Sequence, residues 1–297
     1  MKNLYKVLVS TVFIVTFGFG QDLFTDINAG LLELDYSRVA WGDYDNDGDL
    51  DFFIAGLYEQ GSCSGAGSAT YHAKIYRNDN ATFTDINVGI TGPANVSVAW
   101  GDYDNDGDLD ILLAGGDMSG NSEIYRNDGS DTFTQITDNI VDVSDGSVDW
   151  GDYDNDGDLD ILLTGFYSPN NHITKIYRND NNNVFTDIEA DIEGVSMSKA
   201  VWGDYDNDGD LDIMLGGQNL NGYISKIYRN DGSNVFTNID IDLGSSYYET
   251  LSWGDYDNDG DLDILSISYY SGTSESNIYR NDGNDVFTDI NAGLTGV

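Results

Sequence analysis

The chain repeats itself. The block WGDYDNDGDLD opens at Trp41, Trp100, Trp150, Trp202 and Trp253, at spacings of 59, 50, 52 and 51 residues. A second block, IYRND, follows at Ile75, Ile124, Ile176, Ile227 and Ile278, and an FT pair follows that at Phe83, Phe133, Phe185, Phe236 and Phe287. A fixed period of this length restricts the fold to units that cannot bury their apolar faces alone and must stack on their neighbours. In the second unit four stretches read as strands: VSVAWGDY (strand a), LDILLAG (b), EIYRND (c) and TFTQI (d). Turn residues separate them, and no stretch carries a useful 3.6-residue apolar period. Four short strands per unit is the content of a β-propeller blade, a four-stranded antiparallel meander. The expected fold is all-β, five such blades over residues 21–297, either closed into a five-blade ring or forming part of a larger propeller. The repeated tryptophan and the ILLA core of strand b supply the stacking surfaces.

Each unit also crowds five aspartates into nine residues, a density of like charge that opposes folding unless something neutralises it. They are Asp43, Asp45, Asp47, Asp49 and Asp51 in the first unit and Asp102, Asp104, Asp106, Asp108 and Asp110 in the second. The third has Asp152, Asp154, Asp156, Asp158 and Asp160, and the fourth Asp204, Asp206, Asp208, Asp210 and Asp212. The fifth has Asp255, Asp257, Asp259, Asp261 and Asp263. In a tight loop, alternate residues point inward, so positions 1, 3 and 5 converge, with Gly107 and its counterparts permitting the reversal at position 6. Position 7 is expected to offer its backbone carbonyl, and position 9 a further carboxylate. Oxygen ligands at this density suit a hard cation with six to eight ligands, which is Ca²⁺. About one ion per repeat, five in all, is expected. An EF-hand is excluded because position 12 in the second unit is Leu113 rather than a bidentate glutamate.

These loops, D-x-D-x-D-G-x-x-D in all five units, resemble the FG-GAP/VCBS repeat family, whose best-known relatives form the propeller of integrin alpha subunits. The resemblance covers essentially all of residues 21–297. It implies a calcium-bound propeller of the kind often found in secreted or surface proteins, and it supplies neither a ligand nor an activity. Most members look seven-bladed, whereas this chain has five metal loops. FTDINAG occurs at both ends, Phe24–Gly30 and Phe287–Gly293. That gives six d-type segments for five of each other strand, so a ring would use one terminal d strand and leave the other spare.

Composition narrows the partners. A formal net charge of −41 disfavours nucleic acid and anionic membrane and favours cations. Residues 1–20 combine a basic MKNLYK with an apolar stretch too short to span a bilayer, and they read as a secretory signal peptide, with no membrane insertion after its cleavage. The expected location is extracellular, secreted or at the cell surface. The single cysteine, Cys63, lies in the Gly/Ser-rich insertion GSCSGAGSAT and has no internal partner. The a–b and c–d turns fall at one end of the blades and hardly vary. The b–c and d–a connections fall at the other and vary freely, with Tyr, Asn, Ser and Gly prominent, a composition suited to recognition. Tyr167, His172, Tyr223, Tyr269 and Tyr270 are the candidate contacts there for an extracellular protein or polysaccharide. Arg77, Arg126, Arg178, Arg229 and Arg280 share one repeat position and are expected to offset carboxylates in neighbouring loops. Two histidines in non-equivalent loops, no G-x-S-x-G and no zinc-spaced cluster leave no catalytic set legible. A binding or adhesion module is the leading reading. A propeller-type polysaccharide lyase or glycoside hydrolase, or its non-catalytic domain, is the alternative.

Overall fold

In the computed structural model of the chain, residues 26–27, 29–59, 69–90, 96–116, 120–136, 139–168, 171–241, 243–244, 247–270 and 273–294 are described. The chain divides into two units, Met1–Leu32 and Glu33–Val297, and every strand lies in the second. The expected signal peptide and Cys63 fall outside the described residues. No helix among those residues is long and apolar enough to cross a membrane.

Five four-stranded antiparallel sheets form, each pairing its strands in chain order. Blade 1 comprises β1 (Asp35–Gly42), β2 (Asp51–Glu59), β3 (Ala69–Asn78) and β4 (Phe83–Asp85). Blade 2 comprises β5 (Val96–Gly101), β6 (Asp110–Gly115), β7 (Asn121–Asn127) and β8 (Phe133–Gln135). Blade 3 comprises β9 (Ser144–Gly151), β10 (Asp160–Ser168), β11 (Asn171–Asn179) and β12 (Phe185–Asp187). Blade 4 comprises β13 (Ser196–Gly203), β14 (Asp212–Asn219), β15 (Gly222–Asn230) and β16 (Phe236–Asn238). Blade 5 comprises β17 (Tyr247–Gly254), β18 (Asp263–Tyr270), β19 (Thr273–Asn281) and β20 (Phe287–Asp289). This is the meander expected from the repeat. The d strands are shorter than expected, three residues each. The N-terminal copy of FTDINAG forms no strand among its described residues, and blade 1 draws its d strand from Phe83–Asp85 instead.

Strand b explains the packing. Side chains alternate across a strand, so Ile111 and Leu113 of β6 enter one core with blade 1, and Leu112 and Ala114 enter another with blade 3. A strand covered on both faces reads as an unbroken apolar run, and β6 is buried throughout. Four cores of this kind lie between consecutive blades, 1–2, 2–3, 3–4 and 4–5. In each, a tryptophan from the following blade lies parallel to a tyrosine from the preceding one. Tyr44–Trp100, Tyr103–Trp150, Tyr153–Trp202 and Tyr205–Trp253 stack with centroids 6.0–6.3 Å apart and planes within 10°. The glycine closing strand a makes room for that indole. A Cβ on Gly151 or Gly203 would come within 2.6 Å of the next blade's Trp Cδ1, closer than a real side chain tolerates.

The sequence left a closed ring and a partial one open. Among the described residues no core joins blade 5 to blade 1. Trp41 is 57% exposed where Trp150 and Trp202 are 9% exposed, and Tyr256 is 44% exposed where its four counterparts are at most 2%.

Candidate metal centres

The a–b loop of blade 2 illustrates the other four. Asn105 and Gly107 both take positive φ, 59° and 97°, so the backbone reverses twice within a few residues. Asn tolerates that conformation and Gly adopts it without strain. The reversal turns backbone N–H groups inward. Asp102 accepts from the N–H of Asp106 and of Gly107, each at 3.0 Å, and Asp106 accepts from the N–H of Asp108 at 3.0 Å. Asp110, at the head of strand b, is fully buried and accepts from the N–H of Tyr103 at 3.1 Å and of Asn127 at 2.8 Å. It thereby ties the loop to strand c.

These bonds gather carboxylates. One oxygen each of Asp102, Asp104 and Asp110 lies within 4.8 Å of the others, and the same holds for Asp43, Asp45 and Asp51. Asp152, Asp154 and Asp160 form the third such group, and Asp204, Asp206 and Asp212 the fourth. In blade 5 the converging set is Asp255, Asp257 and Asp259, all exposed. Positions 1, 3 and 9 therefore meet in four loops and positions 1, 3 and 5 in the last. The electrostatics match the crowding. Burial pushes Asp110 up to about 7, against the lowering effect of its two backbone donors, with Asp104 and Asp106 adding to the rise. Asp160 and Asp212 are likewise at about 7 and Asp51 at about 6, each chiefly through burial. Asp104 is raised by burial and by the neighbouring charge of Asp106. A cluster of converging carboxylates, one of them buried in four of the five loops and held where its charge is disfavoured, fits a hard divalent cation, since it is built wholly of oxygen donors.

The position-7 side chain has another task. Asp108 Oδ1 accepts from Asn46 Nδ2 of the preceding blade's loop at 2.9 Å. The same latch joins Asn105 to Asp158, Asn155 to Asp210 and Asn207 to Asp261, each at 2.8 Å. Beside it, Asn127, Asn179, Asn230 and Asn281 of the IYRND blocks donate to the backbone oxygens of Tyr44, Tyr103, Tyr153 and Tyr205 at 2.8–2.9 Å. Tyrosine hydroxyls complete the joint, donating to Asp131, Asn183, Asn234 and Asp285 at 2.5–2.8 Å. Sequence reasoning assigned the whole loop to metal and missed these contacts. The available signal was the Tyr and Asn within every DYDND, neither of which a carboxylate site requires.

The arginines meet the expectation in part. Each pairs with the aspartate two residues on in its own c–d hairpin: Arg77 with Asp79, Arg126 with Asp128, Arg178 with Asp180, Arg229 with Asp231, Arg280 with Asp282. Arg77 and Arg229 reach the next blade's hairpin as well, at Asp131 and Asp285. A partner two residues away costs little ordering, so it outcompetes the metal loop. The ion pairs thus go to the hairpin aspartates, while the position-3 aspartates Asp45, Asp104, Asp154 and Asp206 feel the arginines through space, which opposes the rise in their pKa.

The two roles separate by mutation. Asp104→Ala should remove one site from the calcium isotherm measured by titration calorimetry. Asp108→Ala should keep that site and instead lower unfolding stability by about 1 kcal/mol, the worth of one hydrogen bond between blades.

The sequence profile of the FG-GAP-like repeat matches residues 43–113, 102–163 and 204–266. No curated protein matches the chain. Among solved structures, the chain is similar to a fructofuranosidase from Schwanniomyces occidentalis complexed with fructose, at 12% identity and a TM-score of 0.39. That similarity covers 80% of this chain and 57% of the fructofuranosidase chain. With repeats matched over more than half of its residues, each carrying the loop described above, the chain belongs to the FG-GAP-like repeat family.

Proposed function

We propose that the protein is a secreted, calcium-stabilised β-propeller that binds an extracellular protein or polysaccharide through the end of the blades opposite the aspartate loops. The observation that carries this reading is the division of labour between the two ends. The loop end repeats its sequence in every blade and is occupied by a carboxylate cluster in each loop and by latches between the four consecutive pairs of blades. The b–c end differs from blade to blade and carries exposed aromatic groups, among them Tyr71, Tyr167 and Tyr269, each about half exposed. Rigid aromatic side chains give large contact area at low entropic cost. Tyr223 is half-buried on β15, and Tyr270 closes β18.

Between blades 3 and 4 this end holds a cleft of about 200 Å³ lined by Asn171, His172, Glu193, Asn219, Leu220 and Asn221. His172 is ordered by Phe166, whose ring lies 4.5 Å away, and by Ser196 Oγ at 3.0 Å from Nδ1. Burial lowers its pKa and favours the neutral ring. Glu193 accepts from Lys226 Nζ at 2.5 Å and from the Asn219 amide. Amides, a neutral imidazole and an apolar rim suit hydroxyl-rich or peptide ligands. In the loops, Ca²⁺ would be held by the aspartates at positions 1, 3, 5 and 9 with the position-7 backbone. Its charge would cancel their mutual repulsion.

Tyr167→Ala with Tyr269→Ala should abolish retention on extracellular glycans or matrix proteins at unchanged melting temperature. Arg126→Ala with Arg178→Ala should lower the melting temperature and leave affinity intact. Binding lost in the arginine pair at full folding, and kept in the tyrosine pair, would place recognition at the other end.

A further inference from the structure

In four blades strand c carries a charged residue just before its IYRND block, and the partner of that residue changes. Lys74 and Lys175 pair with Asp85 and Asp187 of the FTD segment beside them. In blade 2 the residue is Glu123, which accepts from Gln135 Nε2 at 3.0 Å. In blade 4 Asn238 replaces the FTD aspartate, so Lys226 has no carboxylate on that strand. It pairs at 2.5 Å with Glu193, in the connection from blade 3 to blade 4. Glu193 is peculiar to this joint: Thr91, Val141 and Gly244 stand at its position in the other connections.

The surroundings hold this glutamate firmly. Its N–H donates to the Tyr228 hydroxyl at 3.2 Å, and its carbonyl accepts from Thr174 Oγ1 at 2.9 Å. Its second carboxylate oxygen accepts from the Asn219 amide. Gly194 lets the segment lie against β11, since a Cβ there would stand 2.1 Å from the His172 carbonyl oxygen. The turn from β14 to β15 is tied by the Asn221 N–H to Asn219 Oδ1 at 2.7 Å. Its tip is Leu220, 71% exposed, where a two-residue hairpin turn usually carries glycine or a short polar residue. Glu193, Asn219, Leu220 and His172 all line the cleft of about 200 Å³.

We infer that this cleft is a subsite for one uncharged sugar residue of a glycan, its adjacent hydroxyls taken by Glu193 and Asn219 and its apolar face resting on Leu220. The inference rests on the b–c end being the recognition face, and it narrows the ligand of that face to a glycan. Charge decides against the other ligands. Lys226 cancels Glu193, so the lining is neutral in a chain of net charge −41. An anion would find no unpaired cation here, and an ammonium group would be drawn to the aspartate loops instead. The Glu193 carboxylate can accept further hydrogen bonds, and the Asn219 amide beside it has a second N–H to donate. An acceptor next to a donor complements two neighbouring hydroxyls, each of which donates and accepts. The volume lies below the roughly 300–1,000 Å³ of sites for drug-sized ligands, which leaves room for a single ring.

The chain has two histidines, His72 in blade 1 and His172 in the cleft, so imidazole proton resonances report on the site directly. The calcium-loaded protein is titrated with the methyl glycosides of glucose, galactose and mannose. Tetrahydropyran-2-methanol, a ring without adjacent hydroxyls, is the control. At least one glycoside should shift the His172 signal saturably and leave His72 in place, and the control should shift neither. Glu193→Gln should weaken that glycoside about tenfold or more, the loss of a hydrogen bond to a charged group. Because Glu193 also braces the connection, Leu220→Ser at the exposed tip is the second variant. It should weaken binding severalfold at unchanged melting temperature. No shift at His172 with any glycoside in large excess overturns the inference. If retention on a glycan or matrix protein is then still lost with Tyr167→Ala and Tyr269→Ala, the recognition face stands without this subsite. Equal shifts from the control and the glycosides also overturn it, as does a glycoside that binds both variants as tightly as the parent. A His172 shift that meets these expectations while the tyrosine pair retains full binding keeps the subsite and removes those tyrosines from the face.

Discussion

Chelation should lower the melting temperature of this protein by an amount on the order of 20 °C or more, and magnesium should restore little of it. Extracellular calcium modules bind at about 10⁻⁴ to 10⁻³ M. A site held a hundredfold above its dissociation constant adds about 2.7 kcal/mol, and a domain of this size gains about 2–4 °C per kcal/mol. Five such loops acting on one array should together dominate its stability. The direction follows from the buried carboxylates. Asp51, Asp110, Asp160 and Asp212 are held in surroundings that disfavour their charge, chiefly through burial and then through neighbouring aspartates, so the metal-free fold carries a desolvation and repulsion cost that the unfolded chain escapes. Magnesium demands a smaller, near-octahedral shell and gives up its water reluctantly. Calorimetry in excess chelator, then with each ion added back, reads the effect. An unchanged melting curve would remove calcium from this account.

Trp202→Ala and Trp41→Ala should give opposite results although both alter the same repeat position. Trp202 is 9% exposed and packs on Tyr153 and Phe236 in the core between blades 3 and 4. Its truncation leaves a cavity and should cost about 3–5 kcal/mol in denaturant unfolding. Trp41 is 57% exposed and touches Phe52 of its own blade, so its loss should cost about 1 kcal/mol or less in dilute solution. Equal costs would mean that blade 1 has a neighbour in solution even at low concentration.

The blade itself was legible from the repeat. ILLA had to be a two-faced strand, because no amphipathic surface strand would carry four apolar residues in succession. WGDYDNDGDLD had to turn sharply and gather carboxylates, because Asp alternates with a glycine at the reversal. What the sequence hid lies between blades. Asn46 reaches Asp108 across 62 positions, and nothing local distinguishes that asparagine from a turn former. The arginines' nearest partners were hidden for a related reason. Net charge pointed them towards the most acidic segment, whereas the geometry of a tight hairpin placed Asp79 or Asp128 closer. FTDINAG occurs at both ends; the C-terminal copy supplies the fourth strand of blade 5, Phe287–Asp289, and blade 1 takes its own from Phe83–Asp85.

The latch between loops gives the array a polarity. Every loop from blade 1 to blade 4 leans forward, its asparagine gripping the loop ahead, so each is steadied by the neighbour downstream. Asn258 has no loop ahead of it among the described residues, and its blade alone gathers a carboxylate set that is exposed throughout. A latch of this kind makes the support directional: releasing any one loop withdraws the hold on the loop behind it, towards blade 1, and leaves the latches ahead of it in place.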